Sequence, residues 1–275
     1  MATYNGERFL GEQIDSLLQQ TYKDWHLYVH DDGSNDDTIA IVKKYIHFHP
    51  NKITLLDYPP QGGPCRNFLS MLEKVEAPYY MFCDQDDVWL KEKIELSIQE
   101  MKRQETKDTL QPIVIHTDLY IADEQLSVTF DSLWAFTGKH PQYIRTFDDA
   151  GGHTSIATGC TMLFNHQAKE SCNVSSDKAI MHDCWLCLCT LKRGGIVQAI
   201  NEKTVLYRQH GSNALGSGKT NAADVGIKFR LKHFNEVYKS NRNYYVMLQS
   251  LGYGTIFKYI YSKVKFKKRM RRGFY

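Results

Sequence analysis

The sequence predicts an α/β fold with a mostly parallel, twisted sheet flanked by helices. Short apolar segments alternate with amphipathic helical segments as far as about residue 125. Strands separated by such helices form parallel sheets with right-handed crossovers. Two of the apolar segments end in clusters of aspartate. Because open α/β sheets bind ligands at the carboxyl ends of their strands, these clusters indicate where the functional site lies.

Each element in this region follows from its apolar spacing and from the residues that interrupt it. Helices are expected where apolar residues recur at helical spacing, over residues 7–20, 38–46, 67–75 and 90–104. Strands are expected where a short apolar run stops at acidic or turn-forming residues, over 25–30, 53–57, 79–83 and 112–120. Asp36 or Asp37 is the expected cap of the second helix, and Gly62-Gly63-Pro64 is an expected turn.

The pattern becomes less regular after Asp123. Residues 130–155 are predicted to form a long, partly helical loop over a site. The later elements are a strand at 158–164, a helix at 182–191, strands at 196–200 and 204–207, and helices at about 225–250 and 254–270. Residues 212–224 are rich in Gly, Ser, Asn and Ala, which indicates a boundary. The chain is therefore predicted to contain a domain over 1–215 and a basic helical extension over 216–275.

Charge is divided unequally between these two parts. Residues 1–215 carry 20 basic and 29 acidic side chains, a net charge of −9. Residues 216–275 carry 14 basic and 2 acidic side chains, a net charge of +12. This asymmetry indicates an acidic, metal-using body and a basic tail for an anionic surface.

Composition places the protein in a reducing compartment. The chain has seven cysteines, an odd number, and the polar residues 1–6 do not resemble a secretory signal. Free thiols are therefore expected. The segment 184–189 contains one Cys-x-x-Cys pair without the second pair of a structural zinc site, so its cysteines are predicted to be buried helix residues. No apolar run reaches the roughly 18 residues that a membrane-spanning helix needs.

The start of the chain is unusual. A doubly wound fold places an apolar strand before a segment such as Ala2-Thr3-Tyr4-Asn5, but the sequence begins there. Either the start codon is assigned late, or the first strand is shortened at a cost to the sheet.

The acidic cluster that follows residues 79–83 carries the strongest chemical signal. Asp84 and Asp86 are two residues apart, so in an extended backbone both side chains point the same way. Two carboxylates on one side of a strand end suit Mg²⁺ or Mn²⁺ carried by a phosphate-bearing substrate. A solvated acidic turn is the alternative.

Seven motifs in order give the chain a family resemblance. Four of them resemble the family 2 glycosyltransferases, enzymes with the nucleotide-diphosphosugar-binding fold of the GT-A type: Ala2-Thr3-Tyr4-Asn5-Gly6-Glu7, Gln20-Thr21-Tyr22, Asp31-Asp32-Gly33-Ser34-Asn35-Asp36-Asp37-Thr38 and the Asp84 cluster. Three resemble the bacterial rhamnosyltransferase-like branch: Thr158-Gly159-Cys160-Thr161-Met162, His182-Asp183-Cys184-Trp185-Leu186 and Tyr207-Arg208-Gln209-His210-Gly211-Ser212-Asn213. The resemblance extends from residue 2 to about 215.

This resemblance implies a divalent metal ion and its ligands. Asp86 occupies the last position of the Asp-x-Asp pattern and is the expected metal ligand, with Asp84 binding ribose or metal-bound water. His210 matches the distal third ligand, and neutral imidazole suits Mn²⁺ better than Mg²⁺. An ordinary loop histidine is the alternative for His210.

The resemblance also implies binding roles for other residues. Asp32 is expected to accept the ring N–H of uracil or thymine, Thr3 to pair with the base through its main chain, and Tyr4 to stack on it. A turn with a helix cap is the alternative for Asp32. The other residues expected to contact the nucleotide-sugar are Asn5, Glu7, Arg66, Asp84, Gln85, Asp86 and Trp89. The residues expected near the acceptor or sugar are Gly159, Cys160, His182, Trp185 and Arg208. A core or edge position is the alternative for Gln85, Trp89 and Trp185.

Asp183 matches the family position of the catalytic base. In an inverting transfer, one carboxylate removes the proton of the acceptor hydroxyl as that hydroxyl attacks the anomeric carbon. A helix N-cap is the alternative role, and the two roles are compatible.

The basic tail interleaves lysines and arginines with aromatic residues, notably over 228–234 and 259–269. Basic amphipathic helices of this kind lie on anionic membrane surfaces. Nucleic acid is the less favoured partner, and a solvated tail without a partner is a further alternative. The expected location is cytoplasmic, peripheral at the inner face of the plasma membrane, where a lipid-linked oligosaccharide would be the acceptor.

These features together predict an inverting, metal-dependent glycosyltransferase of bacterial surface polysaccharide synthesis. The branch resemblance favours dTDP-L-rhamnose as donor, and UDP-glucose, UDP-galactose or another UDP-sugar is the alternative. A nucleotide-sugar-binding protein without catalysis is the rival from another class. A nucleotidyltransferase is weaker, because no basic Gly-rich phosphate loop occurs near the N-terminus.

Overall fold

The computed structural model describes residues 1–106, 110–138, 140–152, 156–211 and 234–272. Nine strands occur in these ranges: β1 Ala2–Thr3, β2 Leu27–Asp31, β3 Ile53–Leu55, β4 Tyr79–Met81, β5 Val88–Trp89, β6 Ile113–Ala122, β7 Val128–Phe130, β8 Met162–Asn165 and β9 Ile196–Arg208. The helices in these ranges are α1 Leu10–Leu18, α2 Thr38–Phe48, α3 Pro64–Lys74, α4 Lys93–Glu105, α5 Leu133–Thr137, α6 Phe147–Ala150, α7 His166–Ser171, α8 His182–Lys192, α9 Phe234–Ser250 and α10 Ile256–Arg272. Pro141–Tyr143 and Gly159–Thr161 are short 3₁₀ turns.

The α/β prediction is confirmed, and the sheet is mixed. The strands β1, β2 and β3 pair in parallel because α1 and α2 cross between them. A second sheet has the order β4-β8-β6-β9-β5, with β7 paired to β6. In this sheet β6 and β9 are parallel, whereas β4–β8, β6–β8, β5–β9 and β6–β7 are antiparallel.

Several boundaries differ from those that the sequence predicts. The expected strands at 196–200 and 204–207 form one continuous strand, β9, which shifts register against β6. The strand expected from residue 158 begins at Met162, because Gly159–Thr161 forms a 3₁₀ turn. Apolar periodicity did not predict β5, β7 or α7, which are too short for it. The expected boundary at 212–224 and the start of the helix expected at 225–250 lie outside the described residues.

Two apolar clusters hold helices against the faces of the sheets. The central strand β6 contributes to both, since Val114 belongs to one cluster while Ile113 and Ile115 belong to the other. One cluster contains buried residues of α1, α2 and α4. The other contains those of α3 and α8, together with Tyr244 and Tyr259 of the last two helices. The helices α9 and α10 therefore share a core with the body of the protein.

The predicted cysteine chemistry is confirmed. All seven cysteines are free thiols, and the three in α8 are buried. Within the described ranges, every helix is too short or too polar to cross a bilayer.

Candidate active site

Three strands bring the predicted acidic clusters to one cleft. Thr3 at the end of β1 is in register with Asp31 at the end of β2. Gln85, after β4, donates from Nε2 to the Tyr4 carbonyl at 3.0 Å and accepts from the Tyr4 N–H at 2.8 Å. The amino ends of α3 and α8 complete a cleft of about 620 Å³.

About half of the residues predicted for the site line this cleft. Those that line it are Thr3, Tyr4, Asp32, Asp84, Gln85, Asp86, Gly159, His182 and Asp183. Those outside its lining are Asn5, Glu7, Arg66, Trp89, Cys160, Trp185, Arg208 and His210. A second cavity, of about 700 Å³ between β2 and β4, has mainly apolar walls. The first cleft is the better candidate, because its walls carry convergent carboxylates.

Asp84, Asp86 and Asp183 concentrate negative charge in the cleft. Burial, together with the carboxylates of Asp86 and Asp183, raises the pKa of Asp84 to about 7. Such crowding is unfavourable unless a cation or a proton neutralises it. The cleft is therefore suited to a positively charged ligand.

Asp86 and His210 form a pair at the edge of the cleft. The Nε2 atom of His210 lies 2.8 Å from Oδ2 of Asp86, and the His210 ring packs against Phe9 with centroids 4.7 Å apart. The structure thus brings the two predicted metal ligands together. Carboxylate oxygen and imidazole nitrogen fit Mn²⁺ or Mg²⁺.

A different trio of possible ligands lies beneath this pair. Among the described residues, Asp84, Asp87 and Cys160 have ligand atoms within 4.8 Å of one another. Burial raises the pKa of the Cys160 thiol and of the Asp87 carboxyl well above their usual values. A cysteine sulfur is a soft ligand and is poorly matched to a hard cation such as Mg²⁺ or Mn²⁺. We therefore infer that Cys160 and Asp87 stabilise the acidic loop and are not metal ligands.

Arg208 holds that loop from behind. Its side chain is only 2% exposed. It donates from Nε to the Asp86 carbonyl at 2.8 Å and from its backbone N–H to Asp87 Oδ1 at 3.2 Å, and it forms an ion pair with Glu12. Arg208 therefore positions Asp86 from outside the cleft.

The first turn of α8 positions Asp183. Its Oδ2 accepts from the Gly159 N–H at 3.1 Å and its Oδ1 accepts from the Cys184 N–H at 2.6 Å. The cap residue of α8 is Met181, so the alternative N-cap role for Asp183 is wrong. A carboxylate in the first turn still interacts favourably with the helix dipole.

His182 lies between Phe68 and Phe82, with ring centroids 4.2 and 4.5 Å away. Burial lowers its pKa to about 4, so the imidazole is neutral at pH 7. Neither ring nitrogen has a hydrogen-bond partner among the described residues. His182 is therefore a neutral group available to a ligand in the cleft.

Because Gly159 has no side chain, His182 can pack closely against it while the Gly159 N–H donates to the Asp183 carboxylate. A Cβ at this position would lie 2.7 Å from His182 Nε2 and 3.6 Å from the Asp183 Cβ. We expect Gly159→Ala to displace His182, the residue before Asp183, and to lower the rate of the predicted sugar transfer by about 10²-fold, with little change in donor affinity. Steady-state kinetics and calorimetric titration of the donor check this result.

Gly11→Ala is the matched control for this substitution. Its new methyl group would meet only the Tyr45 hydroxyl, at 3.6 Å, which is an ordinary contact. Equal rates for the two variants would contradict the role given to Gly159.

Asp32 is engaged by the loop that follows β3. Its carboxylate accepts from the backbone N–H groups of Gln61, Gly62 and Gly63, the last two at 3.0 and 2.5 Å. A carboxylate has about four acceptor sites, so one remains for a nucleobase. The Thr3 carbonyl accepts from the Asp32 N–H at 2.8 Å. The Tyr4 side chain is 54% exposed and free of core packing, as a stacking residue requires.

Asn5 and Glu7 fasten the first loop to the start of α2. The Asn5 side chain accepts from the Asn35 N–H at 2.8 Å, and the Glu7 side chain accepts from the Asp37 N–H at 2.9 Å. These contacts hold the loop that carries Thr3 and Tyr4. The structure thus places Asn5 and Glu7 behind the cleft wall.

Four other predicted residues lie away from the cleft. Trp89 and Cys160 are buried in one core cluster, and Trp185 is buried in the other, where its indole N–H donates to the Asn173 carbonyl at 2.9 Å. Arg66 is exposed on α3. The structure also adds lining residues that had not been predicted for the site. Asn67, Phe68 and Met181 lie in no motif, whereas Thr158 and Tyr207 belong to motifs but had been given no role.

Fold and site together define a nucleotide-diphosphosugar-binding α/β protein with an acidic cleft. Known proteins agree with this class. Residues 1–171 match the family model described as glycosyl transferase family 2. The chain therefore belongs to glycosyltransferase family 2 and is a glycosyltransferase.

Two relatives of the chain are named as glycosyltransferases. The chain is 27% identical over 246 residues to the dTDP-rhamnosyl transferase RfbG of Shigella flexneri, covering 86% of this chain and 78% of that protein. It is 35% identical over 103 residues to the UDP-Glc:alpha-D-GlcNAc-diphosphoundecaprenol beta-1,3-glucosyltransferase WfgD of Escherichia coli, covering 37% and 39%.

Solved structures share the fold. S. aureus TarS 1–349 in complex with UDP-GlcNAc matches with a TM-score of 0.55 at 16% identity, covering 100% of this chain and 91% of that one. The mannosyltransferase PcManGT from Pyrobaculum calidifontis, in complex with GDP-Man and Mn²⁺, matches with a TM-score of 0.53 at 11% identity, covering 99% and 79%. At these identities the likeness establishes the GT-A fold.

Proposed function

We propose that this glycosyltransferase moves a sugar, with inversion, from a nucleotide-diphosphosugar to a hydroxyl of a lipid-linked glycan in bacterial surface polysaccharide synthesis. The observation that carries the proposal is that Asp183 and the Asp84–Asp86 segment line the same cleft. One side of the cleft suits a diphosphate and its cation, and the other holds a carboxylate with its oxygens fixed by two N–H groups.

The residues divide the proposed reaction between them. Asp32, Thr3 and Tyr4 bind the nucleoside, and the Asp84–Asp86 segment faces the diphosphate. Asp183 accepts the proton of the acceptor hydroxyl while the oxygen of that hydroxyl forms a bond to the anomeric carbon. The bond from that carbon to the diphosphate oxygen breaks, and its electron pair leaves with the nucleoside diphosphate. One displacement inverts the anomeric centre.

Asp86 and His210 are the residues that would hold Mn²⁺ or Mg²⁺. Such an ion neutralises charge on the departing diphosphate. The polypeptide contributes the geometry, since Arg208 fixes the Asp86 backbone and Phe9 packs against the His210 ring.

The preferred donor is dTDP-L-rhamnose, which the likeness to RfbG supports over most of both chains. A UDP-sugar donor is the second candidate, because WfgD is named for UDP-Glc and matches at higher identity over a shorter span. WfgD is also named for a diphosphoundecaprenol substrate, which supports a lipid-linked acceptor. We further propose that residues 1–215 form the catalytic domain and 216–275 a basic extension that keeps the enzyme at the inner face of the plasma membrane.

A panel of nucleotide-sugars with Mn²⁺ tests the donor. At a concentration of about a hundred times Kd, the true donor adds about 2.7 kcal/mol to the free energy of unfolding, which raises Tm by roughly 5–10 °C. We expect dTDP-L-rhamnose to give the largest shift and Asp32→Ala to abolish most of it.

Release of nucleoside diphosphate then separates an enzyme from a binding protein. A transferase cleaves its donor slowly even without acceptor, whereas a binding protein shifts Tm without releasing nucleoside diphosphate. Release of pyrophosphate would instead identify a nucleotidyltransferase and refute the proposal.

A further inference from the structure

The outer face of α10 carries an apolar stripe. Phe257, Tyr261 and Ile260 are 80%, 66% and 53% exposed. Ile256 and Val264 are also exposed, and the spacing of these five residues places them on one side of the helix. Single exposed apolar residues are common, but five on one helix face form a patch that indicates an interaction surface.

The opposite face of α10 anchors it to the body of the protein. Tyr259 is 4% exposed and belongs to the same apolar cluster as α8. Lys258 pairs with Asp148 at 2.6 Å, and Tyr253, in the loop before α10, donates from its hydroxyl to the Asp148 carbonyl at 3.1 Å. The helix is therefore held with its stripe outward, and the stripe belongs to the folded protein.

The basic residues of α10 indicate which kind of partner the apolar stripe contacts. The sequence of α10 contains Lys258, Lys263, Lys265, Lys267, Lys268, Arg269, Arg271 and Arg272, and it has no acidic residue. Of these, Lys258, Lys265 and Lys268 are exposed, and Lys258 is paired with Asp148. An apolar stripe with aromatic residues beside lysines matches a bilayer surface that offers both acyl chains and negative head groups. A second copy that docked symmetrically through α10 would present the same cations and so would offer this helix no complementary charge.

We propose that the outer face of α10 is a docking surface for an anionic lipid bilayer, with Phe257, Ile260 and Tyr261 inserted below the head groups and Lys265 and Lys268 among them. The proposal deepens the proposed function, because it names the part of the chain that meets the membrane of a lipid-linked acceptor.

The packing of α9 connects this surface with the catalytic helix. Tyr244 of α9 donates from its hydroxyl to the Ala150 carbonyl at 2.9 Å and contacts Cys184, the residue after Asp183. The side chains of Tyr244 and Tyr259 lie 6.3 Å apart, measured between ring centroids. Docking of α10 would thus hold the first turn of α8 within about two helix diameters of the bilayer.

Flotation with lipid vesicles tests the proposal. The full chain should bind vesicles of phosphatidylcholine with about one third phosphatidylglycerol, and bind pure phosphatidylcholine weakly. The double variant Phe257→Ser, Tyr261→Ser should have a vesicle partition coefficient at least about tenfold lower than that of the unsubstituted chain. Lys265→Gln with Lys268→Gln should lower it about 30-fold, at about 1 kcal/mol per lysine.

Phe48→Ser with Leu110→Ser is the matched control, because Phe48 and Leu110 are 65% and 77% exposed elsewhere on the protein. This control should bind vesicles like the unsubstituted chain. Equal vesicle binding by the Phe257/Tyr261 variant, or equal binding to both lipid mixtures, would overturn the proposal. A dimer in gel filtration that dissociates only in that variant would also overturn it, since a second copy would then cover the stripe.

The same variants separate this proposal from the proposed function. Donor cleavage in vesicle-free buffer should be unchanged in the Phe257/Tyr261 variant, because the stripe lies outside the cleft. Absence of donor cleavage in the unsubstituted chain, together with normal vesicle binding, would refute the proposed function and leave the docking surface intact.

Discussion

Replacing Asp183 by asparagine is expected to lower sugar transfer by about 10²–10⁴-fold while the donor still binds. The amide cannot take up the proton of the acceptor hydroxyl. Its side chain also retains only one acceptor oxygen for the N–H groups of Gly159 and Cys184, which the carboxylate serves with two. The loss of one hydrogen bond costs about 1 kcal/mol, so the variant should remain folded.

Transfer rates, donor titration and thermal unfolding of the Asp183→Asn variant check this prediction. The matched control is Asp177→Asn, because Asp177 precedes α8 and pairs with Lys178 at the surface. The control should transfer sugar at the normal rate. Near-normal transfer by Asp183→Asn would exclude Asp183 as the base, and loss of donor affinity would reassign it to donor binding.

Removal of divalent metal by EDTA is expected to lower transfer by roughly 10³-fold, and added Mn²⁺ or Mg²⁺ should restore it. The physical reason is the charge that develops on the departing diphosphate, in a cleft that already contains Asp84, Asp86 and Asp183. Without a cation, these carboxylates repel the diphosphate.

The His210→Ala variant tests which side chains hold the ion. Removal of the imidazole beside Asp86 should raise the Mn²⁺ concentration needed for half-maximal transfer by at least about tenfold. It should affect Mg²⁺ less, because Mg²⁺ prefers oxygen ligands. His26→Ala is the control, since His26 lies at the surface and contacts Thr54. Full activity in EDTA would remove the metal roles given to Asp86 and His210.

Some of the residues that the motifs predicted line the cleft, and others are buried in the core. Asp84, Asp86 and Asp32 were predictable because a carboxylate after an apolar strand has few structural reasons to be there. Trp89, Trp185 and Cys160 sit beside these motifs in the sequence, but burial in the core decided their positions. A position beside a motif therefore predicted the correct region of the chain, but it also included residues that do not line the cleft.

Some residues have structural roles that no sequence pattern discloses. Arg208 follows Tyr207 in a motif, yet its guanidinium turns inward to Glu12 and the Asp86 carbonyl. The carboxylate of Asp32 serves three backbone N–H groups of the 61–63 turn. Such contacts join segments far apart in the chain, so only the folded structure reveals them.

The sequence by itself determined the α/β class, the order of most helices and strands, the family and the acidic edge of the sheet. It did so because apolar periodicity and carboxylates at strand ends are local properties. Tertiary structure decided which strands pair, that Asp86 meets His210 across 124 positions, and that Gly159 admits His182 and Asp183. It also decided that α10 buries Tyr259 and exposes Phe257. These outcomes depend on packing between segments that are far apart in the chain. Composition and local spacing do not predict which distant segments will meet.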